Sequence, residues 1–437
     1  MSPAFDRGHT DDLIAYLAAS PSPYHAVASA ADRLEKAGFR RAEETAAWGG
    51  GSGGRYVVRG GALIAWYVPA NLADRAEAPF RVVGAHTDSP NLRVKPKPDS
   101  GAAGWRQIAV EIYGGVPLNT WLDRDLGLSG RLALRDSSTR LVQIDEPLLR
   151  VPQLAIHLDR GVNDGMTLDR QRHVKPIWGL GKPEEGELVR YVAERAGVEA
   201  GDVLGWDLMV HDLQPPAYLG RDRELLAAPR LDNLLSVHAA TAALARVSDQ
   251  GERGDEGGQE LPHIPVLAAF DHEENGSTSD TGAQGPLLGN VLDRVVFGRG
   301  GSPEDRARAL AGTVCLSSDM GHAVHPNYAE RHDPDHHPLP NGGPILKVNV
   351  NQRYSTDGVG RAVFAEACER AGVPWQTFVS NNAMPCGTTI GPLTAARLGV
   401  STVDCGIAAL SMHSARELCG AEDPAYLASA VKAFLEG

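Results

Sequence analysis

Residues 264–274 read IPVLAAFDHEE. An apolar run this short, stopping abruptly on ionisable side chains, has the pattern of a buried strand that ends at the rim of a sheet. Two other stretches repeat it, RVVGAHTD at 81–88 and TVCLSSD at 313–319. Segments with apolar residues at helical spacing lie between and after them: LDNLLSVHAATAALARV (231–247), RAVFAEACERAG (361–372) and AYLASAVKAFLE (425–436). This alternation predicts an α/β fold with a mixed sheet flanked by helices, in which a ligand sits outside the carboxyl ends of the strands. The charged residues fall at those ends.

Working outward, residues 11–38 predict two helices joined by a turn at Ser20-Pro21-Ser22-Pro23. From about 95 to 229 the character changes to short β-like stretches (RQIAVEIYGG, GRLALRD, LLRVPQLAIHL) with Gly, Pro and Asp turns and a charged stretch near 182–199. The expected organisation is therefore a catalytic unit formed by 1–94 and 230–437, interrupted by an inserted, mainly β domain at 95–229. SDQGERGDEGGQELPH (248–263) and HDPDHHPLPNGG (332–343) have the composition of loops. His332, His336 and His337 in the second loop lack regular spacing and receive no role.

The 437 residues carry a formal net charge of -13 and no long Lys/Arg tract, which argues against a nucleic-acid partner. The amino terminus, MSPAFDRGHTDDLIAYL, lacks the basic and apolar segments of a signal peptide, and no apolar run reaches bilayer length. The expectation is a cytoplasmic protein with no membrane partner. Cys315, Cys368, Cys386, Cys405 and Cys419 are widely spaced and form no C-x-x-C pair, so neither a disulfide framework nor a thiolate zinc cluster is indicated. GGSGG at 50–54 fits loose nucleophile-elbow and dinucleotide patterns, but without the strand–turn–helix context that either needs.

His86, Asp88, Asp232, Glu273, Glu274, Asp319 and His413 are histidines and carboxylates placed at predicted element ends, the donor types of hydrolytic zinc sites. Singly, each has an ordinary alternative: a hydrogen-bonded turn at His86-x-Asp88, a helix cap at Asp232, a strand-end cap at Asp319, a loop histidine at His413. Glu273-Glu274 differs, because adjacent carboxylates at the end of an apolar run repel unless cations compensate them. Two zinc ions would do so, with Asp232 shared, His86 and Asp319 on one ion, and Glu274 and His413 on the other. Such a pair lowers the pKa of a shared water and stabilises the oxyanion of peptide hydrolysis. Glu273 is then placed to move the water's proton, and Asp88 to hold the second nitrogen of the His86 imidazole.

With these residues in view, the sequence resembles the aspartyl aminopeptidases along almost its whole length. The likeness includes SPSPYHAV (20–27), GAHTDSPNLRVKPKP (84–98), TWLDRDLGLSGR (120–131), PRLDNL (229–234), DHEENGSTSDTGAQGP (271–286), SSDMGHAVHPNY (317–328), PILKVNVNQRYST (344–356), PCGTTIGP (385–392) and MHSARE (412–417). The resemblance implies a zinc exopeptidase-like fold with an inserted dimerisation domain and a homo-oligomer, a tetrahedral dodecamer built from dimers. It implies the metal ligands His86, Asp232, Glu274, Asp319 and His413, with Glu273 as general base. It further implies that His157, in VPQLAIHL (151–158), reaches a neighbouring subunit's active site, and that Lys347 and Tyr354 meet the side chain of peptide substrates with acidic amino termini. The implied cofactors are two zinc ions per subunit, with manganese or cobalt as substitutes.

A Lys inside the apolar run ILKVNV is unusual in its own right, and either a pocket needing a counter-charge or an exposed edge strand explains it. One departure stands: the family pattern carries an Asp ahead of PCGTTIGP, where this chain has Asn381-Asn382-Ala383-Met384. That bears on the strictness of an acidic preference, not on hydrolysis. Cys386, in the same loop, has no evident base and is read as structural. The alternatives are a dinuclear exopeptidase or acyl-amino-acid hydrolase of other specificity, and a non-catalytic oligomeric binding protein.

Overall fold

A computed structural model describes residues 7–252 and 260–437. Its centre is a nine-stranded mixed sheet. Four neighbouring strands in the middle of that sheet run parallel: Ile264–Phe270, Phe80–His86, Val314–Ser318 and Ser401–Gly406. Along them, alternate side chains enter two different cores, as the period of a strand requires. Val83, Ala85, Leu267, Ala269, Leu316 and Val403 face one core. Phe80, Val82, Val266, Ala268, Phe270 and Cys315 face the other. Both faces are thus buried, which is why these strands read as continuous apolar runs and not as alternating ones.

Helices supply the two outer layers. On the first face pack Gly8–Ala18, Pro23–Lys36, Leu231–Glu252, Gly358–Ala371 and Asp423–Glu436, through residues such as Leu13, Leu34, Leu235, Phe364 and Leu427. On the second lie Leu287–Gly298, Pro303–Ala311 and Ile390–Leu398, through Leu288, Val291, Leu310 and Ile390. The two helices expected over 11–38 are Gly8–Ala18 and Pro23–Lys36. The second starts where Ser22 caps the His25 N–H and Pro23 takes the first turn, where its missing N–H costs nothing.

A six-stranded sheet with its own core is formed between the Phe80–His86 and Ile264–Phe270 strands in the chain, from residues 91–212. It starts at Asn91, before the boundary expected at 95, because the polypeptide continues from the His86 strand end directly into a new strand. The charged stretch near 182–199 contains the helix Glu187–Ala196, which packs Leu188 and Val192 into that core. The strands Ala217–Leu219 and Leu225–Ala228, also expected within the insertion, belong instead to a five-stranded sheet with Glu417–Gly420, Ala408–Leu410 and Gly321–His322.

LLRVPQLAIHL departs from its β-like reading. The strand Thr139–Leu149 stops early in it, and the residues beyond form irregular backbone and turns in which Leu154, Ile156 and Leu158 are 54%, 52% and 75% exposed, with no layer over them among the described residues. Over 248–263 the helix Leu231–Glu252 continues into the expected loop, and residues 253–259 lie outside the described residues. Among the described residues no helix is long and apolar enough to cross a membrane.

Candidate metal centre

The carboxyl ends of three adjacent parallel strands bring the sequence-predicted side chains together. Phe270 is in register with His86, so the segment Asp271 to Glu274 emerges beside His86 and Asp88, and Asp319 follows the next strand over. Asp232 enters from the start of the helix Leu231–Glu252, whose regular dihedral angles begin only after Asn233, and the Asp232–Asn233 peptide is cis. His413 arrives on the turn between Ala408–Leu410 and Glu417–Gly420, in the left-handed region at φ 66.

Asp232 stands between the two histidines. One of its carboxylate oxygens is 3.1 Å from His86 Nε2 and the other 3.6 Å from His413 Nε2. An Asp319 oxygen also lies 3.3 Å from His86 Nε2, and a Glu274 oxygen 3.3 Å from His413 Nε2. Donors around a tetrahedral zinc with bonds near 2.0–2.1 Å are roughly 3.3 Å apart, so both pairs have the spacing of ligands around a cation. His86, Asp232 and Glu274 each offer a donor atom within 4.8 Å of the others. Glu274 Oε1 is buried without a hydrogen-bond donor, and Asp232 Oδ1 is buried facing the His86 nitrogen outside hydrogen-bond geometry. A buried carboxylate oxygen with nothing to accept is costly, and a cation removes the cost. Nitrogen and oxygen donors without thiolate suit zinc, manganese or cobalt.

Four of the neighbouring groups, His86, His413, Glu273 and Glu274, hold protons tightly. Burial pulls His86 down, yet Asp232, Asp319 and Asp88 outweigh it and hold the imidazole well above its ordinary value. His413, opposed by burial but favoured by Asp232, rises to about 9. Burial and then neighbouring carboxylates push Glu273 up to about 8, and Glu274 well above its usual range. Folded chelator-treated protein therefore keeps protons that the unfolded chain has released. Their stabilising effect is complete below the unfolded values and fades as pH rises through about 8 to 9. Zinc must displace those protons, so the stabilisation it adds grows with pH. The expected result is a melting-temperature gap between zinc-loaded and chelated protein that widens from pH 7 to pH 9; a constant or narrowing gap would count against this linkage.

Asp88 sits otherwise than expected. The contact to His86 Nδ1 is made by its backbone carbonyl at 3.0 Å, while its carboxylate is 3.5 Å away. That carboxylate accepts instead from the Glu273 and Glu274 N–H groups, both at 3.1 Å, and from the Tyr113 hydroxyl at 2.6 Å. It holds the turn that carries both glutamates. His157 is exposed on a turn and makes no hydrogen bond or ion pair to the other candidate residues among the described ones.

Lys347 is buried at 1% exposure in the strand Ile345–Val348, which has a neighbour on each side, so it is not an exposed edge residue. Its ammonium donates to the Met320 carbonyl at 2.6 Å, lies 4.0 Å from an Asp319 oxygen, and is 5.4 Å from the Tyr354 ring. Cys386 is half-buried beside the cluster containing Tyr354 and Phe378. Asn381 donates to the Glu330 and His332 carbonyls and ties the 332–343 loop to its own.

Two carboxylates that sequence reasoning did not single out also organise the site. Glu417 accepts from the Asp232 N–H at 2.9 Å and the His413 N–H at 2.7 Å, the pairing of Ala228 with Glu417 having brought both near it. Asp404 accepts from Ser317, Thr389 and the Ser355 N–H, fixing the segment next to Tyr354. An Asp inside the apolar run STVDCGIAAL was a signal for the second; nothing local distinguished the first.

The family described as aminopeptidase I zinc metalloprotease (M18) matches residues 16–435. The chain is 71% identical to a Streptomyces coelicolor protein named "Probable M18 family aminopeptidase 2", over 99% of this chain and 98% of that one. It is 52% identical to a Mycobacterium tuberculosis protein of the same name, over 97% of each. Among solved structures it resembles a chain of the Ape4 and Nbr1 complex (TM-score 0.92, 33% identity, 98% of this chain and 85% of that). It is also similar to the S. cerevisiae mApe1 dodecamer chain (TM-score 0.84, 31% identity, 98% and 96%).

Proposed function

The chain belongs to the M18 family of zinc aminopeptidases, and from that membership we propose that it removes Asp and Glu from peptide amino termini at a site holding two zinc ions. The observation that carries the proposal is the Asp232 carboxylate between His86 and His413, each imidazole having a further carboxylate beside it. Asp232 would be shared, with His86 and Asp319 holding one ion and Glu274 and His413 the other. When bound, the ions lower the pKa of a shared water and polarise the scissile carbonyl. Glu273 accepts the water's proton and passes it to the leaving amine. Asp88 keeps Glu273 aimed by holding its backbone N–H.

Lys347 supplies the counter-charge for an acidic side chain, with Tyr354 alongside. The dodecameric mApe1 relative supports assembly as a dodecamer, built from dimers that pair through the inserted sheet. His157, exposed with Leu154, Ile156 and Leu158 on one turn, then enters a neighbouring copy's site.

The test is hydrolysis of aminoacyl reporter amides by zinc-loaded and chelated protein, beside Lys347→Met. Zinc-dependent preference for aspartyl and glutamyl amides is expected. Loss of a charge-assisted hydrogen bond should lower kcat/KM for these roughly 10- to 100-fold in the variant while sparing alanyl and leucyl amides. An equal loss on all amides would remove Lys347 as the specificity group.

A further inference from the structure

The strand Trp105–Tyr113 of the inserted sheet ends at the candidate metal centre, and the three residues Tyr113, Gly114 and Gly115 meet three separate parts of it. The Tyr113 hydroxyl donates to Asp88, the carboxylate that holds the Glu273 and Glu274 N–H groups. Gly114, at φ 74, passes so near Glu274 that an added Cβ would lie 3.1 Å from Glu274 Cβ. The Gly115 carbonyl is 3.2 Å from His413 Nδ1. A carbonyl only accepts, so it keeps a proton on Nδ1 and leaves Nε2, the nitrogen facing Asp232 and Glu274, as the one that would give its lone pair to a cation.

Tyr113 is itself held in place. It is paired with Asn91 across the strands, is 8% exposed, and has the Arg93 guanidinium 3.7 Å above its ring. The contact is therefore made from a rigid element and not from a mobile loop.

We propose that Tyr113-Gly114-Gly115 is a brace through which the inserted sheet positions both the general base and one metal-holding imidazole. These are positioning residues, and the inserted segment takes part in the chemistry apart from any role in assembly. The proposal rests on Glu273 being the base and on His413 and Glu274 holding zinc.

Tyr113→Phe keeps the ring and its Arg93 contact while removing the hydroxyl. Gly115 lies outside the left-handed region, so Gly115→Ala keeps its backbone and sets a methyl 3.1 Å from His413 Nδ1. Both full-length variants are to be compared with the parent by steady-state kinetics, zinc competition against a chelating dye, and the visible absorption of the cobalt(II)-substituted protein. Tyr113→Phe is expected to lower kcat roughly 10- to 100-fold with KM and zinc affinity unchanged, and Gly115→Ala to shift the cobalt band and weaken one zinc site by a similar factor. Parental kcat and cobalt spectra in both variants would overturn the brace, as would a lowered melting temperature with unchanged kcat per folded molecule. A parent that takes up no cobalt would instead overturn the metal reading beneath it, and the brace with it.

Discussion

Glu273→Gln is expected to keep two zinc ions per chain and to lose turnover on an aspartyl amide by roughly 100- to 10,000-fold, the usual contribution of a positioned proton-transfer group. The expectation follows from the two faces of the Asp271 to Glu274 turn. Both glutamates give their backbone N–H to Asp88, but only Glu274 directs a carboxylate oxygen at His413, leaving the Glu273 carboxylate free of that role. The amide of Gln preserves the shape of the side chain and cannot accept the water's proton. Loss should therefore fall on kcat and leave KM nearly unaltered. A variant that turned over at the parental rate would exclude Glu273 as the base, and one that lost zinc would move it among the ligands.

Asp232→Asn has the second large expected effect, on metal content before activity. Its carboxylate lies between the two imidazoles, and its N–H and C=O are already committed to Glu417 and Ser89. The backbone of the variant should therefore stay where it is. Asn offers one neutral oxygen and a donor nitrogen, so one half must face an N–H where it needs a lone pair. Zinc retained after dialysis should fall to one ion per chain or fewer, with affinity lowered more than roughly 100-fold and turnover lost. Two tightly held zinc ions in this variant would show that Asp232 is not shared.

How much of this was legible in the sequence differs by the range of the interaction. IPVLAAFDHEE and RVVGAHTD announced strands ending in charge because strand burial and chain polarity are local properties, and the central parallel strands followed. The Asp232 and His413 turns were legible only as residue types, since their meeting depends on the pairing of Leu225–Ala228 with Glu417–Gly420. Asp88 shows the limit from the other side. Proximity in sequence suggested its carboxylate for His86, but beyond the strand end at His86 the backbone brings the Asp88 carbonyl there and turns the carboxylate toward Tyr113 and the glutamates. Tyr113 and Glu417 gave no local signal because their partners lie on distant segments. The apolar turn at Leu154 to Leu158 read as a strand because its composition suits burial, which this chain alone does not provide.

The central claim is that two zinc ions act together in one site, and the most direct test is to titrate zinc into chelated, zinc-free protein while following turnover of an aspartyl amide and bound metal in the same samples. The two-ion proposal requires that activity reach its plateau at two equivalents per chain. A plateau at one equivalent, or full turnover without added metal, would contradict it.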